Sequence, residues 1–312
     1  MITNIFMKKK FIRNLIKVIK CPICFSKNSK NIGRIINCNS SDLSNIFDLI
    51  ECNKCKHKFL SKFPKKNYLE NLYKKDSEYV FGHSKSEVIN KSNFIKYKFS
   101  KQISFKKHWI FDFVNLNKKG NYLEIGPGLC NLYKSFYENK WNCEGVELQK
   151  WIKAPGIKNS YNKLSNKKND VIVMFDVLEH IIDPNVFLKN ISKKIKKKGK
   201  LFLTFPNASS YKSKILKTEW QMVSPLAHLN FFSIESAKII LRKNGYHIEY
   251  ITPYSFVELR RLIRNFIKLP FKILFDLIKL DLKAVVFRLK EFSLNVLDLI
   301  HGDQMRIVAI KT

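Results

Sequence analysis

A chain of 312 residues, 45% apolar and 27% charged, has the makeup of a globular protein with one full core and a smaller module beside it. Its net charge of +33 is spread along the chain amid abundant Lys, Asn, Ile and Phe, a pattern of coding drift that argues against a dedicated nucleic-acid surface. No run of about 18 uninterrupted apolar residues is present, so no transmembrane helix is predicted.

The N-terminal segment 1–20 has a basic start at Lys8–Lys10. Arg13, Lys17 and Lys20 then interrupt what would be the apolar part of a secretory leader, so a cytoplasmic location is expected. Two Cys-x-x-Cys pairs follow, Cys21/Cys24 and Cys52/Cys55. Each tight knuckle offers two thiolates from one side, and two knuckles suit tetrahedral structural zinc. Cys38 and His57 are alternative ligands that read more simply as bystanders. From Phe63 to Lys118 the pattern is linker and helix, with Leu69, Leu72 and Tyr73 at helical spacing, then Phe105, Trp109 and Phe113.

From Asn121 the periodicity alternates between strand and helix. Strands are predicted at Tyr122–Ile125, Cys143–Leu148, Ile157–Tyr161, Val171–Phe175, Lys200–Phe205 and Tyr246–Thr252. Helices are predicted at Leu132–Asn139, Val186–Lys196 and Ile234–Asn244, with Gly199 and Gly245 as C-terminal caps and Lys193–Lys198 on a helix end. This alternation predicts a Rossmann-like, mostly parallel sheet with helices on both faces. Ligands of such sheets bind at the carboxyl ends of the strands. Three loaded stretches fall there. Glu124-Ile125-Gly126-Pro127-Gly128 leads into a helix, Glu147 ends the second strand, and Asp176-Val177-Leu178-Glu179-His180 follows the fourth. A carboxylate at Glu147, 19 residues after Gly128, is placed to bind ribose hydroxyls. Asp183 and Pro184 suit the start of the next helix. His180 and His228 are candidates for a general base, or for braces of the loops that carry them.

These residues, with Phe205-Pro206-Asn207, His228–Ser233 and a closing strand at Met305–Lys311, resemble the class I S-adenosylmethionine-dependent methyltransferases with an Asp-x-Leu-Glu-His motif. The likeness extends to ubiquinone-pathway and sugar methyltransferases, and the N-terminal cysteines resemble the zinc ribbon that some of these enzymes carry. The resemblance implies a seven-stranded sheet completed by an antiparallel last strand. It implies a cofactor held by Glu124, Gly126, Pro127, Gly128, Cys130, Glu147, Leu148, Asp176 and Val177, and it makes a divalent ion near Glu179-His180 conceivable. Cys130 stands where the family has a third glycine, and no acidic residue near Asn162-Lys163 is placed to read an adenine.

The implied organisation is a basic segment 1–20, a zinc ribbon 21–62, linker helices 63–118, a methyltransferase domain 119–252, a helical insertion 253–302 and the last strand 303–312. Nucleic-acid methylation fits poorly, since no Asn/Asp-Pro-Pro-aromatic tetrapeptide and no Pro-Cys follow strand four. The expected activity is methylation of a small molecule or sugar, on oxygen, in secondary or surface-glycan metabolism. Two alternatives stay open: a membrane-peripheral enzyme acting on a quinone or lipid-linked acceptor, and a non-catalytic zinc-ribbon binding protein. The insertion 253–302 is basic and amphipathic, with Pro270 expected to divide it into helices. It reads as a lid or packing surface ahead of a peripheral membrane contact, and the sequence leaves the oligomeric state open.

Overall fold

In the computed structural model the residues described are 12–36, 46–75, 108–149, 152–225, 227–255, 257 and 259–312. Five parallel strands make the centre of the main sheet: β6 (Asn121–Ile125), β7 (Asn142–Val146), β8 (Ile157–Lys158), β9 (Asn169–Phe175) and β10 (Ile195–Pro206). β12 (Tyr246–Tyr254) and β13 (Gln304–Lys311) complete it, in the spatial order β8-β7-β6-β9-β10-β13-β12, with β13 antiparallel to both neighbours. Parallel central strands are covered on both faces, so they read as continuous apolar runs; Val171–Met174 is buried throughout. α2 (Asn131–Glu138) packs on one face through Tyr133 and Phe136, while α3 (Pro184–Ser192) and α5 (Ile234–Lys243) pack on the other through Leu188, Ile191, Ala237 and Ile240. This is the expected Rossmann-like sheet of seven strands.

Local signals explain most boundaries. Asp183 caps α3, its Oδ1 accepting from Val186 N at 3.0 Å, with Pro184 in the first turn. Ser233 and Ser236 cap α5 reciprocally, and Gly245, at φ 74°, ends it in the left-handed conformation.

Three expectations are corrected. The helix expected to run to Lys196 stops at Ser192, and Ile195 already pairs with Asn169, so Lys196–Lys198 lie in a bulged strand. Gly199 is therefore no helix cap: a Cβ there would lie 2.9 Å from the Lys196 carbonyl, and Lys198, at φ 64°, takes the left-handed turn. The helical spacing of Trp109 and Phe113 yields one 3₁₀ turn, Trp109–Asp112, because these rings pack sideways on Phe202; Phe105 lies outside the described residues. Pro270 does not divide the insertion. α6 (Leu259–Ile278) runs through it, and the break comes at Leu280, φ 54°, before Asp281 caps α7 (Leu282–His301).

The N-terminal residues form a small sheet of β2 (Ser29–Arg34), β3 (Asp48–Cys52) and β4 (Lys58–Leu60), and β1 (Leu15–Lys17) pairs with β5 (Lys62–Pro64) before α1 (Lys66–Lys75). A fourth strand joins the small sheet from far along the chain: β11 (Asn230–Phe231) pairs with β4.

One buried ion pair anchors the insertion. Lys212 of α4 (Tyr211–Leu216) reaches Asp298 of α7 at 3.1 Å and Asp303 at 3.9 Å, while the Asp303 N–H donates to the other Asp298 oxygen at 2.7 Å. Removing one member of a buried pair leaves the other charge uncompensated, at a cost of about 3–5 kcal/mol. Lys212→Met should lower the unfolding free energy by about that amount in urea titration, whereas Lys30→Met, at an exposed pair with Glu51, should change it by less than about 1 kcal/mol.

Candidate functional site

The turn after β6 is held by its backbone. Gly126 N donates to Val146 O at 2.8 Å, and Gly126 and Gly128 have φ of 69° and 50°, where side chains are strained. A Cβ on Gly126 would meet Val177 Cγ2 at 2.9 Å, whereas one on Gly128 would meet nothing within 4 Å. Gly126 therefore allows the ends of β6 and β9 to approach, and Gly128 faces open space at the start of α2. Cys130 occupies the N-cap of α2 in the left-handed conformation, φ 60°, with its side chain buried. It tolerates there the backbone geometry that a glycine would adopt without strain.

Two carboxylates frame this turn. Glu124, 5% exposed, accepts from Tyr122 Oη at 2.6 Å, and burial raises its pKa to about 7 despite that bond. Glu147 accepts from the N–H groups of Gly128 at 3.1 Å and Gln149 at 3.0 Å, bracing the turn to the end of β7. A third acid ends β9. Asp176 sits at φ 52°, its N–H bonded to Thr204 O and its Oδ1 accepting from Thr204 Oγ1 at 3.0 Å; burial raises its pKa. Strained non-glycine residues are concentrated at functional sites; Cys130 starts the helix that follows β6, and Asp176 directly follows the neighbouring β9. Val177 is buried beside them, and Leu148 is half-buried past Glu147.

The 3₁₀ turn Leu178–His180 brings the two candidate histidines together, with ring centroids 4.9 Å apart. His180 Nδ1 lies 2.5 Å from Ala227 O and His228 Nδ1 lies 2.6 Å from Met222 O. A carbonyl only accepts, so each Nδ1 carries a proton, and the backbone of Asp176 bonds the His180 ring as well. Burial lowers both pKa values, that of His180 to about 3 with His228 adding to the effect, so both rings are neutral at neutral pH. Glu179 is 1% exposed, neither carboxylate oxygen has a hydrogen-bond partner among the described residues, and burial, then Asp176, raises its pKa well above the usual range. Ligand atoms of Glu179, His180 and His228 all lie within 4.8 Å of one another, a set able to hold a cation.

A second cluster lies in the small sheet. The Sγ atoms of Cys21, Cys24, Cys52 and Cys55 lie within 4.8 Å of one another, with Cys21 to Cys55 at 3.6 Å and Cys24 to Cys52 at 3.5 Å. Sulfurs at tetrahedral corners about 2.3 Å from an ion are separated by about 3.8 Å. The two knuckles match: Phe25 N bonds Cys21 O and Lys56 N bonds Cys52 O, and both Phe25 and Lys56 are left-handed. This four-cysteine cluster is able to hold a metal ion. His57 is directed elsewhere, its Nε2 3.1 Å from Asn230 Oδ1, and Cys38 lies outside the described residues.

A methyltransferase-domain family model matches residues 100–251, the stretch that holds the glycine turn, Glu147 and the Asp176–His180 segment. That stretch is a methyltransferase domain. No match was found among curated proteins. Similar solved structures include an S-adenosylmethionine-dependent methyltransferase from Mesorhizobium loti, with 10% identity over 64% of this chain and 94% of that one, TM-score 0.44. Another, from Archaeoglobus fulgidus, has 17% identity over 63% and 88%, TM-score 0.43. Magnesium protoporphyrin IX methyltransferase from Synechocystis PCC 6803, with bound S-adenosylhomocysteine, has 11% identity over 80% and 100%, TM-score 0.47. Likenesses at this level carry no information on the substrate.

Other residues at this edge of the methyltransferase domain were not singled out from the sequence. Tyr122 holds the Glu124 carboxyl, and Thr204 holds Asp176. Arg306 lies over the rings of Tyr254 at 4.0 Å and Trp109 at 5.5 Å, and its Nε has no hydrogen-bond partner among the described residues. Tyr161, at the end of β8, is close enough to Glu147 for that charge to raise its pKa further, after burial. Thr204 adjoins the Phe205-Pro206-Asn207 motif and could have been found by it. Tyr122 and Arg306 lie on strands that read only as core.

Glu124 makes a pH-dependent contribution to stability with a definite sign. Its folded pKa, about 7, exceeds the ordinary 4.5, so between these values the folded state binds more protons than the unfolded state. Stability from this group is therefore present at pH 4.5 and lost as pH rises to 7. Glu124→Gln should be more stable than the wild type by about 3 kcal/mol at pH 8, the difference shrinking toward zero below pH 4.5, in paired urea titrations.

Proposed function

We propose that this domain transfers a methyl group from S-adenosylmethionine to a hydroxyl oxygen of a small molecule or sugar. The observation that carries the cofactor assignment is the cradle itself: an open glycine turn at a helix start, framed by Glu124 and Glu147 and closed by Val177. Its residues fit the group. Glu124 is a carboxyl whose pKa burial raises to about 7, and an ammonium group placed beside it would favour its ionised form. Gly126 and Gly128 leave the backbone bare along the turn, with Pro127 and Cys130 holding its shape. Glu147 and Leu148 would meet the ribose, and Asp176 and Val177 the reacting end. When bound, the cofactor supplies an electrophilic methyl on sulfur, displaced in line by the acceptor oxygen.

The protein's remaining task is to place that oxygen and receive its proton. With its Nδ1 proton on Met222 O, neutral His228 offers an Nε2 lone pair, while the backbone of Ala227 and Asp176 holds the His180 ring. Burial lowers the pKa of His228, so it is a weak base, which favours orienting the acceptor hydroxyl by accepting its hydrogen bond. The role assigned to the four-cysteine cluster is structural zinc, since four thiolates close the coordination sphere and leave no position for substrate.

Calorimetry with S-adenosylhomocysteine should show binding to the wild type and none to Gly126→Arg, whose side chain would project toward Val177 from a left-handed backbone position. Run near pH 7 in buffers of different ionisation enthalpy, the wild-type titration should also show proton release as Glu124 ionises; no binding by folded wild type would overturn the reading. Metal analysis of the full chain should find one zinc lost in Cys24→Ser, with exposure of the small sheet to proteolysis.

A further inference from the structure

The insertion carries two apolar stripes, and only one is used. Along α6, Leu262 is buried and Asn265, Leu269 and Ile273 are half-buried, facing inward with Asp276, which pairs with Arg288 of α7. The spacing of three and four residues is that of a helix face packed on protein. On the other side Ile263, Ile267, Phe271, Leu274 and Ile278 repeat the same spacing and stand exposed, Phe271 at 73% and Ile278 at 74%. The stripe continues over the turn through Leu280, 87% exposed, and onto α7 through Leu282, Val286 and Phe287. A contiguous apolar surface of this kind marks an interaction site.

Charge identifies the occupant. At 100° per residue, Arg264, Lys268, Lys272 and Lys279 fall together along one flank of the exposed stripe, and Lys283 continues the series beyond the turn. From 259 to 301 there are nine Lys or Arg against four Asp or Glu, and two of those acids, Asp276 and Asp298, are already paired inward. A second copy would oppose this basic flank with its own. Anionic headgroups above a hydrocarbon layer match both stripes at once.

We propose that the α6–α7 hairpin seats the protein on an anionic lipid surface, with the outer stripe in the interface and the basic flank among the headgroups. No helix among the described residues is long and apolar enough to cross a membrane, so the hairpin would lie on the bilayer. The inference does not depend on the methyl-transfer reading, since it rests on residues 259–301 alone.

Flotation of the full chain tests it, with vesicles of phosphatidylcholine alone and mixed with phosphatidylglycerol. Binding is expected to the mixed vesicles only. The triple variant Phe271→Ser, Leu274→Ser, Phe287→Ser keeps every charge and removes only exposed groups, so its circular dichroism should match the wild type. Its partition into mixed vesicles should fall by about tenfold or more. A second variant, Lys268→Gln, Lys272→Gln, Lys279→Gln, should lose binding while keeping the apolar stripe. Absence of flotation with mixed vesicles would overturn the proposal. So would undiminished binding of the serine variant, which would reduce the effect to the chain's net charge. A wild-type dimer in sedimentation equilibrium that the serine variant dissolves would assign the face to a second copy instead.

Discussion

Three carboxyl groups gathered at one edge of a parallel sheet, two of them buried, set the terms for the rest of the methyltransferase domain. Glu124, Glu147 and Asp176 stand at the ends of β6, β7 and β9, which the parallel register brings side by side. Burying carboxylates is costly unless each is neutralised or hydrogen-bonded. The chain answers differently at each one. Tyr122 donates to Glu124, the Gly128 and Gln149 N–H groups donate to Glu147, and Thr204 donates to Asp176. These answers dictate local structure: the glycine turn is shaped by what Glu147 binds, and β10 contributes Thr204 because it runs beside β9.

The small cysteine-bearing sheet belongs to the same construction. β11 pairs with β4, Ser233 Oγ donates to Cys55 O at 2.7 Å, and Asn230 binds both His57 and the Ile181 carbonyl. Lys58 of β4 is buried and reaches Ser213 Oγ at 2.7 Å. The stretch from His228 to Ser233 therefore has two roles within six residues. Its first residue faces His180, and the rest bonds the cysteine-bearing sheet. Order in that sheet and placement of His228 are thus linked through one short strand.

Much of this was legible in the sequence, for reasons that differ by element. The central strands are buried on both faces, so Val171–Met174 and its counterparts stand out as apolar runs, and the Cys-x-x-Cys pairs carry their geometry in their spacing. The turn at Gly126–Gly128 and the acids after β7 and β9 followed from the position of strand ends. What escaped depended on distant partners. The two-residue β11 has no periodicity of its own and exists because β4 offers an edge. Lys196–Lys198 resemble a helix end in composition, but Ile195 is drawn into the sheet beside Asn169. Pro270 is tolerated within α6. The outer stripe of that helix reads as packing surface because a sequence shows two apolar faces without saying which is covered.

The register of β12 and β13 has one more consequence. Tyr254 pairs with Gln304, so the chain leaves the sheet for the whole of 255–303 and re-enters at the residue directly opposite its departure. Gly302 makes that re-entry compact, since a Cβ there would lie 2.4 Å from Tyr254 N. Loop-closure entropy grows only with the logarithm of length, about 0.6 kcal/mol per doubling. A segment attached at a single pair of facing residues can be lengthened, shortened or exchanged during evolution without shifting one strand against another. The catalytic sheet and the hairpin are in that sense heritable separately, and a change of address need not be a change of chemistry.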